Sequence, residues 1–220
     1  TYMLKLFVFI VLFLYGANWV VIKLLLAKIV SERQKITVLK DDYWSALLTK
    51  KTRLQFHLFL IEAPRIYGFA TGIPFRPYIF VSSAALKELT KKELEWLLLH
   101  EAGHNVLWHP ALLVLIQLSC LLVGSALVLS LRLNLTQTVV LTAFIVIAQY
   151  QLNRILVEKK ADEYALARMS DPQGMITVNQ LMKRRVTSIF YKNYLLSRLF
   201  TPHVAYDERI AMAEEKLKHQ

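Results

Sequence analysis

The sequence has 220 residues, of which 55% are apolar, and 27 basic against 16 acidic side chains give it a formal net charge of +11 at pH 7. An apolar share this high is unusual for a soluble protein of one domain and points to a membrane. The single cysteine, Cys120, excludes an intramolecular disulfide and a cluster of thiolate ligands. A metal site in this chain therefore has to use histidine and carboxylate ligands.

Three apolar segments are long enough to cross a bilayer. The first lies within residues 4–30, and because no small-residue cleavage site follows it, we expect it to be retained as a transmembrane helix. Residues 111–131 and 133–153 are uncharged, and the short stretch around Arg132 between them predicts a helical hairpin over residues 111–153. Buried helices of a large soluble core are the alternative, but a chain this short is too small to enclose three such segments.

The basic residues are concentrated in two polar regions. Residues 32–110 contain 11 of them and residues 151–220 contain 12, whereas Lys5 and Arg132 stand alone on the other side of the spans. By the positive-inside rule, this distribution places the amino terminus and the hairpin turn outside, and both polar regions in the cytoplasm, at a plasma or inner membrane. It also accounts for most of the net charge, so we expect no nucleic-acid partner, for which the sequence has no motif.

The first polar region, residues 31–110, predicts a small antiparallel sheet followed by a helix. Its β-rich segments are short and are separated by proline and glycine; they are residues 54–61, 66–71 and 78–82. Thr90 and Glu93 then form a capping box, which opens a helix that we expect to run to about Pro110.

His100, Glu101 and His104 on this helix form the HExxH pattern. Residues four apart share a helix face, so both imidazoles can bind one ion, while Glu101 is turned roughly 100° away and can reach a water molecule there. Glu158 follows the last apolar segment on a helical stretch and is predicted to be the third ligand of one Zn²⁺ per chain. Asp162, one turn later, can accept a hydrogen bond from the far nitrogen of His100. An ordinary solvated helix face is the alternative interpretation of Glu158 and Asp162.

The remaining histidines have weaker signals. His57 lies in a predicted strand and His219 at the tail, and we expect both to be structural or solvated. His109 lies five residues after His104, off the face that would bind the metal, and we expect the same of it.

Taken together, these residues resemble the integral-membrane gluzincin zinc metalloproteases that include HtpX and the CAAX prenyl proteases. That family pairs HExxH with a downstream ExxAD, here residues 158–162, and ends in a histidine and an arginine six positions apart, here His203 and Arg209. The resemblance implies that His203 stabilises the oxyanion and that Arg209 pairs with the glutamate ligand.

Three features depart from the family's usual pattern. Pro202 precedes His203, whereas the family usually has the histidine before the proline. The substrate-edge strand, commonly Asn-Ala-Phe-Ala in the family, is here formed by Tyr67, Gly68, Phe69 and Ala70. The resemblance implies that substrate binds along this edge by strand addition. Some members have two spans before the sheet rather than one, so a reduced branch of the family and the related β-lactam-sensor metalloproteases are alternatives. The sensor proteases lack the terminal His/Arg pairing, which favours the first assignment.

The resemblance implies an α-helical membrane protein with an α+β zincin-like catalytic domain. Its expected segments are transmembrane helix 1 at residues 4–30, the cytoplasmic sheet and HExxH helix at 31–110, the transmembrane hairpin at 111–153, and cytoplasmic helices with the third ligand and the His/Arg motif at 154–220. We expect an endopeptidase that cuts membrane or misfolded proteins, with its active site facing the cytoplasm. A CAAX-type prenyl-protein endopeptidase and a catalytically silent membrane sensor or scaffold are the alternatives. Three spans favour the first, because a long intramembrane chamber would need more.

Overall fold

The computed structural model describes residues 2–17, 35–73 and 75–219. Its helices are α1 (Tyr2–Ala17), α2 (Asp42–Thr52), α3 (Ser83–Glu88), α4 (Lys91–Val106), α5 (His109–Ser130), α6 (Leu135–Asn153), α7 (Lys159–Arg168), α8 (Gln173–Arg185), α9 (Ile189–Lys192), α10 (Tyr194–Phe200) and α11 (Tyr206–Lys218), with a π-helical turn at Arg154–Glu158. Its strands are β1 (Ile36–Val38), β2 (His57–Ile61), β3 (Gly68–Ile73) and β4 (Arg76–Ser82). The described chain is thus mostly helical, with one small sheet.

The sheet is mixed, so the prediction of an antiparallel sheet was wrong. Its order is β1-β2-β4-β3, in which β2 and β4 run parallel while β1 and β3 are antiparallel to their neighbours. The chain leaves β2, forms β3 at the far edge, and turns back to place β4 in the middle. Hydrophobic patterning reports which face of a strand is buried and not which way its neighbour runs, so the sequence could not reveal this arrangement.

Among the described residues, two helices are long and apolar enough to cross a bilayer. One is α5, and the other is the continuous helix that begins with α6 at Leu135 and extends through the π-helical turn and α7. The helix α1 packs against both, because Gly124 of α5 has no side chain and leaves room for the ring of Phe9. Of the predicted first span, residues 18–30 lie outside the described residues, so a third span stays a prediction, as do the predicted segment boundaries.

The helix α4 lies at the centre of the remaining structure. It begins at the capping box, where the Thr90 hydroxyl accepts from the Glu93 amide and the Glu93 carboxylate accepts from the Thr90 amide at 2.8 Å. It contacts β3 and β4 on one side and α7 and α8 on another. Gly103 lets α7 come close, since a Cβ there would lie 3.2 Å from the Tyr164 ring. The helix with both candidate ligand histidines is therefore held between the sheet edge and the helix that follows Glu158.

The link between the membrane hairpin and the carboxyl-terminal helix is a buried arginine. Arg154, in the π-helical turn, donates to both carboxylate oxygens of Glu208 on α11, at 3.2 and 2.8 Å. Both bonds come from one guanidinium nitrogen, while the other two nitrogens donate to Gln151, so all three nitrogens of Arg154 have partners. It holds α11, which carries Arg209, against the turn that carries Glu158.

Candidate metal centre

Three side chains converge on one point where the hairpin meets the sheet. The Nε2 atoms of His100 and His104 lie 3.2 Å apart. The Glu158 carboxylate lies 3.8 Å from the first of these nitrogens and 3.7 Å from the second. One donor atom from each residue therefore falls within 4.8 Å of the other two. Two imidazoles and a carboxylate facing one point match the ligand types that zinc takes in catalytic sites.

The second ring nitrogen of His100 has a carboxylate partner. Its Nδ1 lies 2.8 Å from Oδ1 of Asp162, whose side chain is fully buried. Apart from this ion-pair contact, neither atom has a hydrogen-bond partner among the described residues. The contact fixes the tautomer in which Nδ1 carries the proton and Nε2 keeps its lone pair for a metal. The buried site thus fits a cation at Nε2.

Arg209 and His203 border the same carboxylates. The Arg209 guanidinium donates to Asp162 at 2.7 Å and to Glu158 at a longer 3.4 Å. Nδ1 of His203, a half-exposed side chain, lies 2.9 Å from Glu158 Oε2. The structure therefore places both residues of the terminal motif beside the candidate ligand, and Arg209 contacts Asp162 more closely than Glu158.

The pKa values of His100 and His104 are shifted in opposite directions. Burial disfavours protonation of His104 and lowers its pKa to about 3. Burial acts in the same direction on His100, but the adjacent Asp162 carboxylate outweighs it and raises that pKa above its usual value. Burial likewise opposes the charge of Arg209, yet the carboxylates of Asp162 and Glu158 raise its pKa, so the guanidinium stays charged.

Glu101 lies beside the three-residue cluster and contacts the sheet edge. The side chain is buried, which raises the pKa of its carboxyl above the ordinary value, while the backbone amide of Ala70 hydrogen-bonds to it and opposes that rise. Gly68 permits the approach, since a Cβ there would lie 3.3 Å from Glu101 Cγ. The carboxylate is thus held between the candidate ligands and β3.

The predicted substrate-edge residues lie on or beside β3, which is one of the two edge strands of the described sheet. Tyr67 just precedes the strand, and its carbonyl accepts from the Ser82 amide at 3.1 Å. Because hydrogen-bonded pairs alternate along an antiparallel ladder, Gly68 and Ala70 turn their amides and carbonyls away from β4. The Phe69 ring is stacked on a ring of β4, with 4.7 Å between centroids. The free edge therefore offers backbone groups next to Glu101.

The sequence matches the family model described as Peptidase family M48 over residues 31–217. The chain belongs to peptidase family M48. This match confirms the resemblance to membrane zinc metalloproteases at the level of the family, whose members are metalloproteases that use zinc. No curated protein matches this M48 chain.

The fold of this M48 protein is similar to that of a solved structure, the crystal structure of S. mikatae Ste24p. The two share 19% identity at a TM-score of 0.58, and the match covers 94% of this chain but 56% of Ste24p. The M48 chain therefore spans about half the length of that neighbour, and at this identity the likeness is one of fold.

His109 is a residue of this M48 site that the sequence did not reveal. Its Nδ1 lies 3.0 Å from Nδ1 of His104, and its side chain is buried. The sequence analysis expected a structural or solvated histidine off the face that would bind the metal. It did not consider that His109 could contact Nδ1 of His104, the ring nitrogen that faces away from the candidate metal site. The break between α4 and α5 at Trp108 carries His109 back toward the His104 ring. His109 lies on a different helix from His104, so no spacing within one helix could predict their contact.

Proposed function

We propose that the protein is a membrane-embedded zinc metalloendopeptidase. The observation that carries this proposal is the convergence of His100, His104 and Glu158, with Glu101 held between them and the free edge of β3. Three protein ligands leave a position open, which distinguishes a catalytic from a structural zinc site. The family assignment and the two long apolar helices agree with a membrane metalloprotease.

His100, His104 and Glu158 would hold one Zn²⁺ per chain. A zinc ion in such a site lowers the pKa of a water molecule and polarises a carbonyl group as a Lewis acid. Asp162 orients His100, and the His109 contact does the same for His104, so both rings present Nε2 to the same point.

Glu101 acts as the general base and then as the general acid. Its carboxylate takes the proton of the attacking water and returns it to the nitrogen of the leaving amine. The raised pKa of Glu101 brings it nearer to neutral pH, where one group serves best in both directions. Its hydrogen bond from Ala70 aligns it with the edge on which the peptide bond would lie.

His203 and Arg209 support the reaction from the other side. The half-exposed His203 ring would donate to the oxyanion that forms on the peptide carbonyl, a type of contact often worth about 3 kcal/mol. Arg209 neutralises Asp162 and steadies Glu158, and is therefore a positioning residue.

The substrate would lie extended along Tyr67, Gly68, Phe69 and Ala70. Strand addition reads the substrate backbone through the outward amide of Gly68 and the outward carbonyls of Gly68 and Ala70, because the Ala70 amide donates to Glu101. Selectivity for side chains should therefore be broad. Broad selectivity suits membrane or misfolded proteins better than one modified sequence. Prenyl-protein cleavage and a catalytically silent scaffold are the two competing functions. By the distribution of basic residues, the active site faces the cytoplasm.

The proposal is tested with detergent-purified protein and casein as an unfolded substrate. Wild type should bind one zinc and cut casein, and a chelator should stop the reaction. Glu101→Gln should bind zinc without cutting. Glu163→Gln removes an exposed carboxylate from the outer face of α7 and is the matched control, which should leave both properties unchanged.

Other outcomes would decide against parts of the proposal. Zinc binding without cleavage of casein or of any prenylated peptide would favour the scaffold, whereas cleavage of the prenylated peptide alone would favour the prenyl-protein enzyme. Retention of a full zinc equivalent by Glu158→Gln would place the third ligand elsewhere.

A further inference from the structure

An exposed aromatic pair lies at the turn between β3 and β4. The Phe75 side chain follows β3 and is 83% exposed, and Trp108, between α4 and α5, is 49% exposed. Their rings meet edge to face with 5.9 Å between centroids. Leu107 beside them is exposed as well. Together, Phe75, Leu107 and Trp108 form an apolar cluster, here called the aromatic tip.

Trp108 adopts a backbone conformation that is unfavourable for its side chain. Its φ of 58° and ψ of 29° place it in the left-handed region, which costs a residue other than glycine roughly 1–2 kcal/mol. A glycine would make the same break between α4 and α5 without this cost. Trp108 is 49% exposed, so part of its ring is open to a contact outside the polypeptide.

The position of Trp108 favours lipid as the partner of this exposed ring. It directly precedes α5, whose 22 residues extend about 33 Å and so match a hydrocarbon core of about 30 Å. The residue before a span lies at the membrane–water interface, where tryptophan is enriched because its ring is amphipathic. The Phe75 ring lies beside the Trp108 ring, and the next residue, Arg76, is an exposed cation suited to the headgroups.

The strand end next to the aromatic tip is hydrogen-bonded to α4, the helix that carries His100, Glu101 and His104. Gly72 has a φ of 90°, and a Cβ on it would collide with the carbonyl of Arg76, so the turn is tight. The buried Asn105 amide, in the orientation that satisfies its neighbours, donates to the carbonyls of Thr71 and Gly72 at 3.3 Å each. The hydrogen bonds of Asn105 thus join the end of β3 to α4, three residues before Trp108.

We propose that the aromatic tip inserts into the interfacial region of the bilayer and so anchors the β3 edge at the membrane surface. Ala70, which contacts Glu101, lies three residues before the end of β3 at Ile73, or about 10 Å at 3.3 Å per residue. This inference rests on the proposed function. Because the substrate edge would lie only about 10 Å from the anchored end of β3, the preferred substrate is a chain segment just emerging from the membrane.

Depth measurement tests the anchor without any catalysis. A spin label is placed by Phe75→Cys in a Cys120→Ser background, in vesicles of phosphatidylcholine with a minority of phosphatidylglycerol. The matched control is Tyr43→Cys, which replaces an exposed aromatic residue close to Lys91 at the opposite end of α4, about 24 Å away. The label at position 75 should be more accessible to oxygen than to a water-soluble nickel complex, and the label at 43 the reverse. Equal, aqueous behaviour of both labels would overturn the proposal.

A second variant links the anchor to substrate choice. Phe75→Asp should slow cleavage of a membrane-anchored reporter roughly tenfold, because it loses the burial of a phenyl ring in the interface. It should leave cleavage of soluble casein unchanged, and Tyr43→Asp should alter neither. Equal slowing of both substrates would show that the tip shapes the catalytic site instead, and would overturn the link to membrane-proximal substrates. Absence of cleavage in the wild type, with the label at 75 still in lipid, would refute the proposed function and leave the anchor standing.

Discussion

The imidazoles of the two candidate ligands, His100 and His104, contact different partners through their second ring nitrogens, and this difference predicts different losses of zinc affinity. His100 is held by the Asp162 carboxylate at 2.8 Å, and His104 by the neutral ring of His109 at 3.0 Å. Removing an outer partner of a liganding histidine usually costs 10–100-fold in metal affinity, and charge-assisted hydrogen bonds are about twice as strong as neutral ones. We therefore expect losses of roughly 100-fold for Asp162→Asn and roughly tenfold for His109→Phe, or about 2.7 and 1.4 kcal/mol.

The assay is competition for zinc between the metal-free protein in detergent and a chromogenic chelator. His109→Phe keeps the volume of the ring and removes its nitrogens, whereas His109→Gln restores a polar atom and should recover part of the affinity. His57→Phe changes an exposed histidine on β2 and is the control for general effects of the substitution. Because the readout is binding, it does not depend on turnover.

One result would refute this reasoning about His109. If His109→Phe and His57→Phe both bind zinc as tightly as the wild type, the contact with His104 contributes nothing to the metal site. A loss in His109→Phe that His109→Gln does not reduce would indicate a packing effect rather than a hydrogen bond.

Two further predictions concern stability of the metal-free protein. Arg209→Ala should leave the buried Asp162 carboxylate without its cation and cost about 3 kcal/mol, or a melting temperature roughly 6–12 °C lower, with Arg209→Lys closer to wild type; an unchanged melting temperature would contradict a buried ion pair. Burial raises the pKa of Glu101, so stability is lost as pH rises from its ordinary value of 4.5 through the raised one, by about 1.4 kcal/mol per unit. Glu101→Gln should therefore be the more stable protein at pH 7, with the difference vanishing below pH 4.5; equal melting curves at pH 7 would argue against a buried carboxyl.

Local patterns in the sequence located many of the residues that the structure brings together. The capping box at Thr90 and the uncharged runs of the hairpin are signals carried within one helix, and the structure has helices at those places. The strand β1 and the helix α2 were not predicted, because β1 has only three residues, all exposed, and α2 shows no strong apolar period. The parallel pairing of β2 with β4 also depends on the path of the chain between them.

The sequence by itself determined the chemistry of the centre, because HExxH is a property of one helix face and ligand types are a property of side chains. Only the tertiary structure decided which groups contact the second ring nitrogens and the carboxylate of the candidate ligands. His109 reaches His104 through a break between two helices, and Arg209 contacts Asp162 more closely than Glu158, since their positions follow from how α5 and α11 pack against α4 and α7. These distances arise from the packing of separate elements, which no spacing within a single element encodes.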